Sequence, residues 1–323
     1  MRAIEVTGYG GTEGMELTER DEPSAEAGQL VIEVAAAGIN FADIQQRMGI
    51  YPGGPEPPFV PGFEVSGEVV RVGDDCDFEV GDRVVGICNI GGYAEYAVAD
   101  ETTVVSIPDG LETVDAAAIP VQFLTAHGCL FDRGGLEAGE RVLIHAAAGG
   151  VGSAAVQLAS AAGAEVFGTA STQEKLDLAA DLGCDHPINY EESDFAEEIE
   201  DITDGGGVDL VIDGVGGDAF RDSFDILNHF GRIVTFGVAS ADPASAQTTK
   251  LLFSNQDVLG FHLGNTISRD PERALAPLEE LLTRVAEGEL SVTIGGRYDL
   301  ESAAEAHKLI ESRQSRGKIL LEP

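Results

Sequence analysis

The chain has 323 residues, enough for a large hydrophobic core and for two domains. It carries 57 Asp and Glu against 19 Lys and Arg, a formal net charge of −38, with lysine only at positions 175, 250, 308 and 318. Binding nucleic acid requires a basic footprint, so this balance excludes a nucleic-acid partner. The acids are interleaved with regular apolar periodicity, which excludes a disordered chain. Acid on every exposed face, with lysine nearly absent, fits molar salt, where the Debye length is about 3 Å, and predicts a halophilic protein.

Met1 to Val6 reads as a strand, with no basic region followed by an apolar stretch. No segment approaches about 18 uninterrupted apolar residues, so the expectation is a cytoplasmic protein with no membrane partner. Cys76, Cys88, Cys129 and Cys184 lack Cys-x-x-Cys spacing and read as reduced, structural thiols. Residues 1–120 hold strand patterns at 30–34, 65–72 and 82–86, punctuated by Gly and Pro, and predict a compact β-rich domain. The Pro- and Gly-rich stretch 52–61 predicts a fixed, extended loop. Asn40 precedes a predicted helix over 41–48 and can cap it. Asp43 and Arg47, four apart on that helix, predict an intrahelical ion pair.

After Pro120 the pattern changes to alternating strand and helix, which predicts a doubly wound parallel sheet. Its strands fall at 141–145, 165–170, 186–189, 208–213 and 232–237. From about 260 two helices follow, 271–287 and 301–312, and then a last strand, Lys318 to Leu321. That strand has no evident parallel partner nearby in sequence and is expected to return to the first domain. The class is therefore α/β, in three segments: 1–120, 121–260 and 261–323.

The most informative stretch is Val142 to Gly152 followed by Ser153 to Ala159. A short buried strand, a glycine turn and an alanine-rich helix form the phosphate-cradling element of a dinucleotide-binding βαβ unit. Ala148, Gly149, Gly150, Val151 and Gly152 make up the turn. Gly149 lets the backbone approach a pyrophosphate, Gly152 lets the helix pack on the strand, and the free N–H groups of the helix start face the anion. Ala147 stands where the first glycine of G-x-G-x-x-G belongs. An NAD-specific fold of this kind wants an acid about 20 residues past the turn. Ala170-Ser171 occupies that place, and no acid is there. Ser171 to Glu174 reads as a capping box, which sets Lys175 in the first turn of the next helix. The expected cofactor is NADPH.

The chain resembles the medium-chain dehydrogenase/reductase superfamily, in particular its zinc-independent NADPH:quinone oxidoreductase (zeta-crystallin-like) branch. The resemblance runs along the whole chain, through Gly38 to Asp43, Arg47 to Tyr51, Pro61 to Val69, Gly81 to Val84, Gly91 to Tyr96, His145 to Gly152, and Glu311 to Arg313 with Gly317-Lys318. Asn40 to Asp43 with Arg47 and Tyr51 also resembles the VAT-1-like relatives. The resemblance implies a GroES-like domain, a Rossmann domain and a C-terminal return to the first domain, usually assembled as a homodimer.

The resemblance also implies roles for residues. Asn40 and Tyr51 match the polar pair lining the substrate end of the cleft, where both can hydrogen-bond a carbonyl oxygen; Asn40 can equally be a helix cap. Thr125 resembles a threonine contacting the cofactor near its nicotinamide ribose, or is a helix hydroxyl bonded to its own backbone. Gly214 and Phe236-Gly237 end the fourth and fifth predicted strands, where a Rossmann crevice opens. The 2′-phosphate contacts fall on Lys175, Tyr190 and Arg313, with Ser171 beside them. Asn40 lies near the family's first zinc-ligand position, Phe63 stands where its zinc-binding His would be, and no cysteine quartet exists, so no metal is expected. The expected activity is hydride transfer from NADPH to a quinone or an α,β-unsaturated carbonyl (enone). A non-catalytic NADPH-binding protein and a zinc-free alcohol or sugar dehydrogenase are the alternatives.

Overall fold

A computed structural model describes every residue of the chain except Asn89. The chain forms two compact units. Unit 1 comprises Met1–Leu124 and Gly264–Pro323, and unit 2 comprises Thr125–Leu263.

Unit 1 is built on strands β1 (Arg2–Val6), β2 (Met15–Glu19), β3 (Gln29–Ile39), β4 (Glu64–Val72), β5 (Arg83–Ile87), β6 (Tyr96–Asp100) and β7 (Val104–Ser106). β1 and β2 pair as a ribbon, while β3, β4, β5 and β7 follow one another in a larger sheet, with β6 also on β3. Apolar residues dominate β3, where Leu30, Val31 and Ile32 are fully buried. Two register shifts between β3 and β4 mark bulges, which bend and curl a sheet. The core gathers Leu30, Ile32, Val65, Val69, Val84 and Tyr93.

Unit 2 holds β8 (Arg141–Ile144), β9 (Glu165–Ala170), β10 (His186–Asn189), β11 (Val208–Asp213), β12 (Leu227–Thr235) and β13 (Asp257–Gly260). The order is β10-β9-β8-β11-β12-β13, and every pairing is parallel. Leu143, Phe167, Val211 and Ile233 are completely buried, as strands covered on both faces require. Strand order reverses between β8 and β11, so their carboxyl ends form the switch point where such sheets bind ligands. β13 is missing from the sequence reading because Asp257-Val258-Leu259-Gly260 is too short and too exposed to show a pattern.

The C-terminal segment adds β14 (Ile294–Asp299) and β15 (Lys318–Glu322) to the sheet of unit 1. β15 pairs antiparallel with β3 and parallel with β14. The expectation that the last strand lacks a nearby parallel partner is therefore corrected. Gly295 and Gly296 hid β14 from a pattern reading, and Gly295 is required: a Cβ there would sit 1.9 Å from the Arg316 carbonyl oxygen. The expected helix 271–287 is in fact two, Pro271–Leu275 and Leu278–Ala286, divided at Pro277, whose ring cannot continue a helix.

Candidate active site

In unit 2 the chain leaves β8 through His145, whose backbone N–H donates to Ile212 of β11 at 3.1 Å. Its buried imidazole spans two elements, with Nδ1 3.0 Å from Thr169 Oγ1 and Nε2 2.9 Å from Ser223 Oγ. Burial pushes this imidazole below its ordinary pKa, so it is neutral and serves the turn's structure. Ala146 then adopts a left-handed φ of 53°. Gly149 is the N-cap of the helix Gly150–Ala161. The first-turn N–H groups, at Gly150, Val151 and Gly152, have no intrahelical acceptor, and Ala148 lies buried just before them. A Cβ on Gly152 would lie 2.1 Å from the Ala146 carbonyl oxygen, so this glycine packs the helix against the turn. Ala147 replaces the first glycine because β9 yields: a Cβ on Gly168 would come within 2.8 Å of the Ala147 methyl.

The neighbouring strand ends bring other candidates together. Asp213, fully buried at the end of β11, accepts the N–H groups of Val215 and Gly216 at 2.8 and 3.0 Å. Gly214 lies under the Phe236 ring, where a Cβ would meet Cζ at 2.5 Å, and Gly237 closes on the Gly214 carbonyl oxygen. Ser171 leaves β9, and the Tyr190 N–H donates to Ala170 at 3.2 Å. The N-cap of the helix Gln173–Asp181 is Thr172 rather than Ser171, its hydroxyl accepting from the Lys175 N–H at 3.4 Å. The capping box at Ser171–Glu174 is thus off by one residue, because Ser171 still belongs to the extended exit of β9. Lys175 keeps its place in the first turn, half-buried, and burial lowers its ammonium pKa. Thr125 is buried in the helix Pro120–His127. Arg313, exposed and at a left-handed φ of 57°, belongs to unit 1.

In unit 1, Asn40 stands at the N-cap of the helix Phe41–Met48. Its backbone N–H donates to Asp43 Oδ2 at 2.7 Å, and its side chain enters a buried ionic network. Nδ2 donates to Glu64 Oε1 at 2.9 Å and to the Gly38 carbonyl at 3.2 Å, while Oδ1 accepts from Lys318 Nζ at 2.6 Å. Lys318 also pairs with Glu64, whose other oxygen accepts the Val121 N–H at 2.7 Å. Tyr51 is half-buried, its ring 5.8 Å from that of Phe63. Burial and the Asp43 charge both push its hydroxyl above the usual phenol pKa.

The predicted Asp43–Arg47 pair does not form. Asp43 instead accepts the N–H groups of Asn40 and Gly62, and Arg47 turns to Glu311, with Nη2–Oε1 at 2.6 Å. Both residues are fully buried, where tertiary partners outcompete a surface-type i,i+4 contact. Sequence reasoning also missed Glu64 and Lys318 as a unit. The available signal was an ionisable residue at the first position of each of two strands rich in apolar residues, Glu64 on β4 and Lys318 on β15.

Residues 26–109 match the alcohol dehydrogenase GroES-like domain, and residues 150–280 match the zinc-binding dehydrogenase domain. The chain is 32% identical to human quinone oxidoreductase, covering 99% of this chain and 97% of that protein. The chain belongs to the medium-chain dehydrogenase/reductase family. Unit 1 is its GroES-like part, and the parallel sheet of unit 2 is its Rossmann-like part. The human synaptic vesicle membrane protein VAT-1 homolog is 34% identical, with 100% of this chain and 86% of that protein covered. Escherichia coli quinone oxidoreductase, solved in complex with NADPH, superposes with a TM-score of 0.94 at 32% identity over the full length of both chains.

Among the described residues no three His, Cys, Asp or Glu side chains are grouped to hold a metal ion. Asn40 and Phe63 offer a neutral amide and a phenyl ring, neither of which is a zinc ligand. No described helix is long and apolar enough to cross a membrane.

Proposed function

We propose that this member of the family is a zinc-independent reductase that uses NADPH to reduce a quinone or an α,β-unsaturated carbonyl, as a cytoplasmic homodimer in a salt-adapted cell. The observation that carries the reading is the turn at Ala148–Gly152 with Lys175, and no acid, at the end of β9. The NADPH in the related E. coli structure and the quinone oxidoreductase relatives support it.

NADPH, when bound, supplies a hydride to the acceptor. The N–H groups of Gly150 to Gly152 would hold its pyrophosphate, and Thr125, Gly214, Phe236 and Gly237 its nicotinamide half. Ser171, Lys175 and Tyr190 would hold the 2′-phosphate. Tyr51 donates a hydrogen bond to the acceptor oxygen as negative charge develops there. Asn40 joins it by exchanging the longer of its two amide hydrogen bonds, the one to Gly38, for the acceptor. The balancing proton comes from solvent. For the dimer, support comes from exposed Leu252 and Phe253 on the helix that leads into the edge strand β13, with exposed Phe230 on β12.

The direct test is NADPH consumption with 9,10-phenanthrenequinone or an enone in molar KCl. The similarity to a VAT-1 homolog keeps a second reading in view, a non-catalytic NADPH binder. Such a protein would change NADPH fluorescence and never turn over. A charge-assisted phosphate contact contributes about 1.5–3 kcal/mol. Lys175→Ala should therefore weaken NADPH binding by roughly ten- to a hundredfold and leave NADH almost unaffected. Equal loss for both cofactors would remove Lys175 from the phosphate site.

Salt adaptation has its own test. At 0.01 M salt the Debye length reaches about 30 Å, and the repulsion summed over a net charge of −38 is no longer screened. Diluting the protein from molar KCl should lower its melting temperature by roughly 10 °C or more. An unchanged melting curve would refute this part of the proposal.

A further inference from the structure

The helix Phe41–Met48 sits among a dense set of buried ionisable groups. Asp43, Arg47, Glu64, Tyr93 and His307 are fully buried, and Lys318 is nearly so. Two pairs close on themselves, Lys318 with Glu64 and Arg47 with Glu311. His307 is held down to about pKa 3 by burial and by Arg47, so it is neutral, and its Nε2 lies 3.1 Å from the Tyr93 hydroxyl. The Cys88 thiol is pushed well above its ordinary value by burial and by the Asp43 and Glu64 charges. Asp43 remains as the carboxyl to which, among the described residues, no ammonium or guanidinium is bonded. Its oxygens accept backbone N–H groups, from Asn40 at 2.7 Å and Gly62 at 3.1 Å.

Those two bonds lead to both residues assigned to the acceptor. One holds Asn40 itself. The other holds Gly62, next to Phe63, on whose ring Tyr51 leans. Tyr51 is tied to the same helix by its N–H, which donates to the Gln45 carbonyl at 3.2 Å. The Gly62 end is tightly built: at φ 107° a Cβ would lie 2.7 Å from Tyr93 Cδ1.

We propose that Asp43 is a positioning residue that governs hydrogen-bond donation by Tyr51, so that turnover is fast with Asp43 neutral and slow with Asp43 charged. The proposal rests on the reductase reading above. Hydride addition places negative charge on the acceptor oxygen. A nearby carboxylate opposes that charge and tightens the hold of the Tyr51 oxygen on its proton, whereas a neutral carboxyl does neither. Burial raises the Asp43 pKa to about 7; the Asn40 N–H, the Lys318 charge and the Tyr93 hydroxyl pull it down, and Glu64 pushes it up. The sign follows directly. Below about pH 7 Asp43 is neutral and Tyr51 donates well; as pH rises through 7 the carboxylate forms and donation weakens. The hydride comes from NADPH and the balancing proton from solvent in either state.

Two measurements on the full chain in molar KCl decide it. With tyrosine labelled with 13C at Cζ, the Tyr51 resonance, identified by its absence in Tyr51→Phe, should step near pH 7. Asp43→Asn, which removes the ionisable group while keeping one of its two accepting oxygens, should remove the step. With 9,10-phenanthrenequinone, wild-type kcat should fall about tenfold between pH 6 and 8.5, the order of effect expected when a donor to the developing oxyanion is weakened rather than removed. Asp43→Asn should be flat over that range and faster than wild type at pH 8.5, a gain that structural damage does not produce. A Tyr51 resonance that does not move between pH 6 and 8.5 overturns the proposal, and needs only the wild type if Asp43→Asn fails to fold. A resonance that steps in a protein consuming no NADPH with any quinone or enone upholds the Asp43–Tyr51 link and instead removes the reductase reading.

Discussion

Methionine at position 318 should cost the protein about 3–5 kcal/mol of stability, the usual penalty for stranding one partner of a buried ion pair. The Lys318 side chain is 3% exposed and that of Glu64 is fully buried. Lys318→Met keeps most of the side-chain volume and removes the charge together with the hydrogen bonds that Nζ donates to Glu64 and Asn40. Glu64 would then lie in the interior without its cationic partner and with two donors left, the Val121 N–H at 2.7 Å and the Asn40 amide at 2.9 Å. Urea unfolding in molar KCl measures the loss, and a value under about 1 kcal/mol would show that solvent reaches the pair. Adding Glu64→Gln to Lys318→Met should recover part of the stability, because a neutral pair costs less to bury than a lone charge.

Loss of one hydroxyl at Tyr51 should have the largest effect on turnover. Tyr51→Phe keeps the ring that packs against Phe63 and removes the donor, so kcat should fall by roughly tenfold to a thousandfold while NADPH affinity barely changes. Steady-state kinetics with NADPH fluorescence titration separates the two. Equal losses in both would assign Tyr51 to the fold. Asn40→Ala should lower kcat comparably, and it should also destabilise the protein, because the Asn40 amide bridges Lys318 and Glu64. That double consequence distinguishes the two positions.

The nucleotide-binding half was legible in the sequence because it is local. β8, the turn and its helix follow one another within about 20 residues, and Gly149 and Gly152 both answer to Ala146, close by in the chain. The parallel strands of unit 2 announce themselves as apolar runs between helices. Short β13 and glycine-broken β14 escape for lack of any periodicity. The proposed acceptor side was only half legible. Asn40 and Tyr51 stand in a recognisable segment, but what Asn40 touches is set by Lys318, 278 positions away in the chain. Asp43 and Arg47 show the same limit in reverse. Their spacing invites a pair, and burial beside Gly62 and Glu311 gives each a better partner.

The place of β15 bears on how the molecule is made. Ile319, Leu320 and Leu321 pair with Ile39, Gly38 and Ala37, which leave the ribosome well before them. All six strands of unit 2 are synthesised before β15 exists. A nascent chain that has reached residue 300 therefore holds every strand of one unit, while in the other the backbone of Ala37 to Ile39 waits with its hydrogen-bonding edge unfilled. Domains fold as units in the order they emerge, and an open strand edge is where a waiting chain aggregates. Here the second unit to be synthesised can be the first to finish, and the first must be kept open until the last strand arrives to close it.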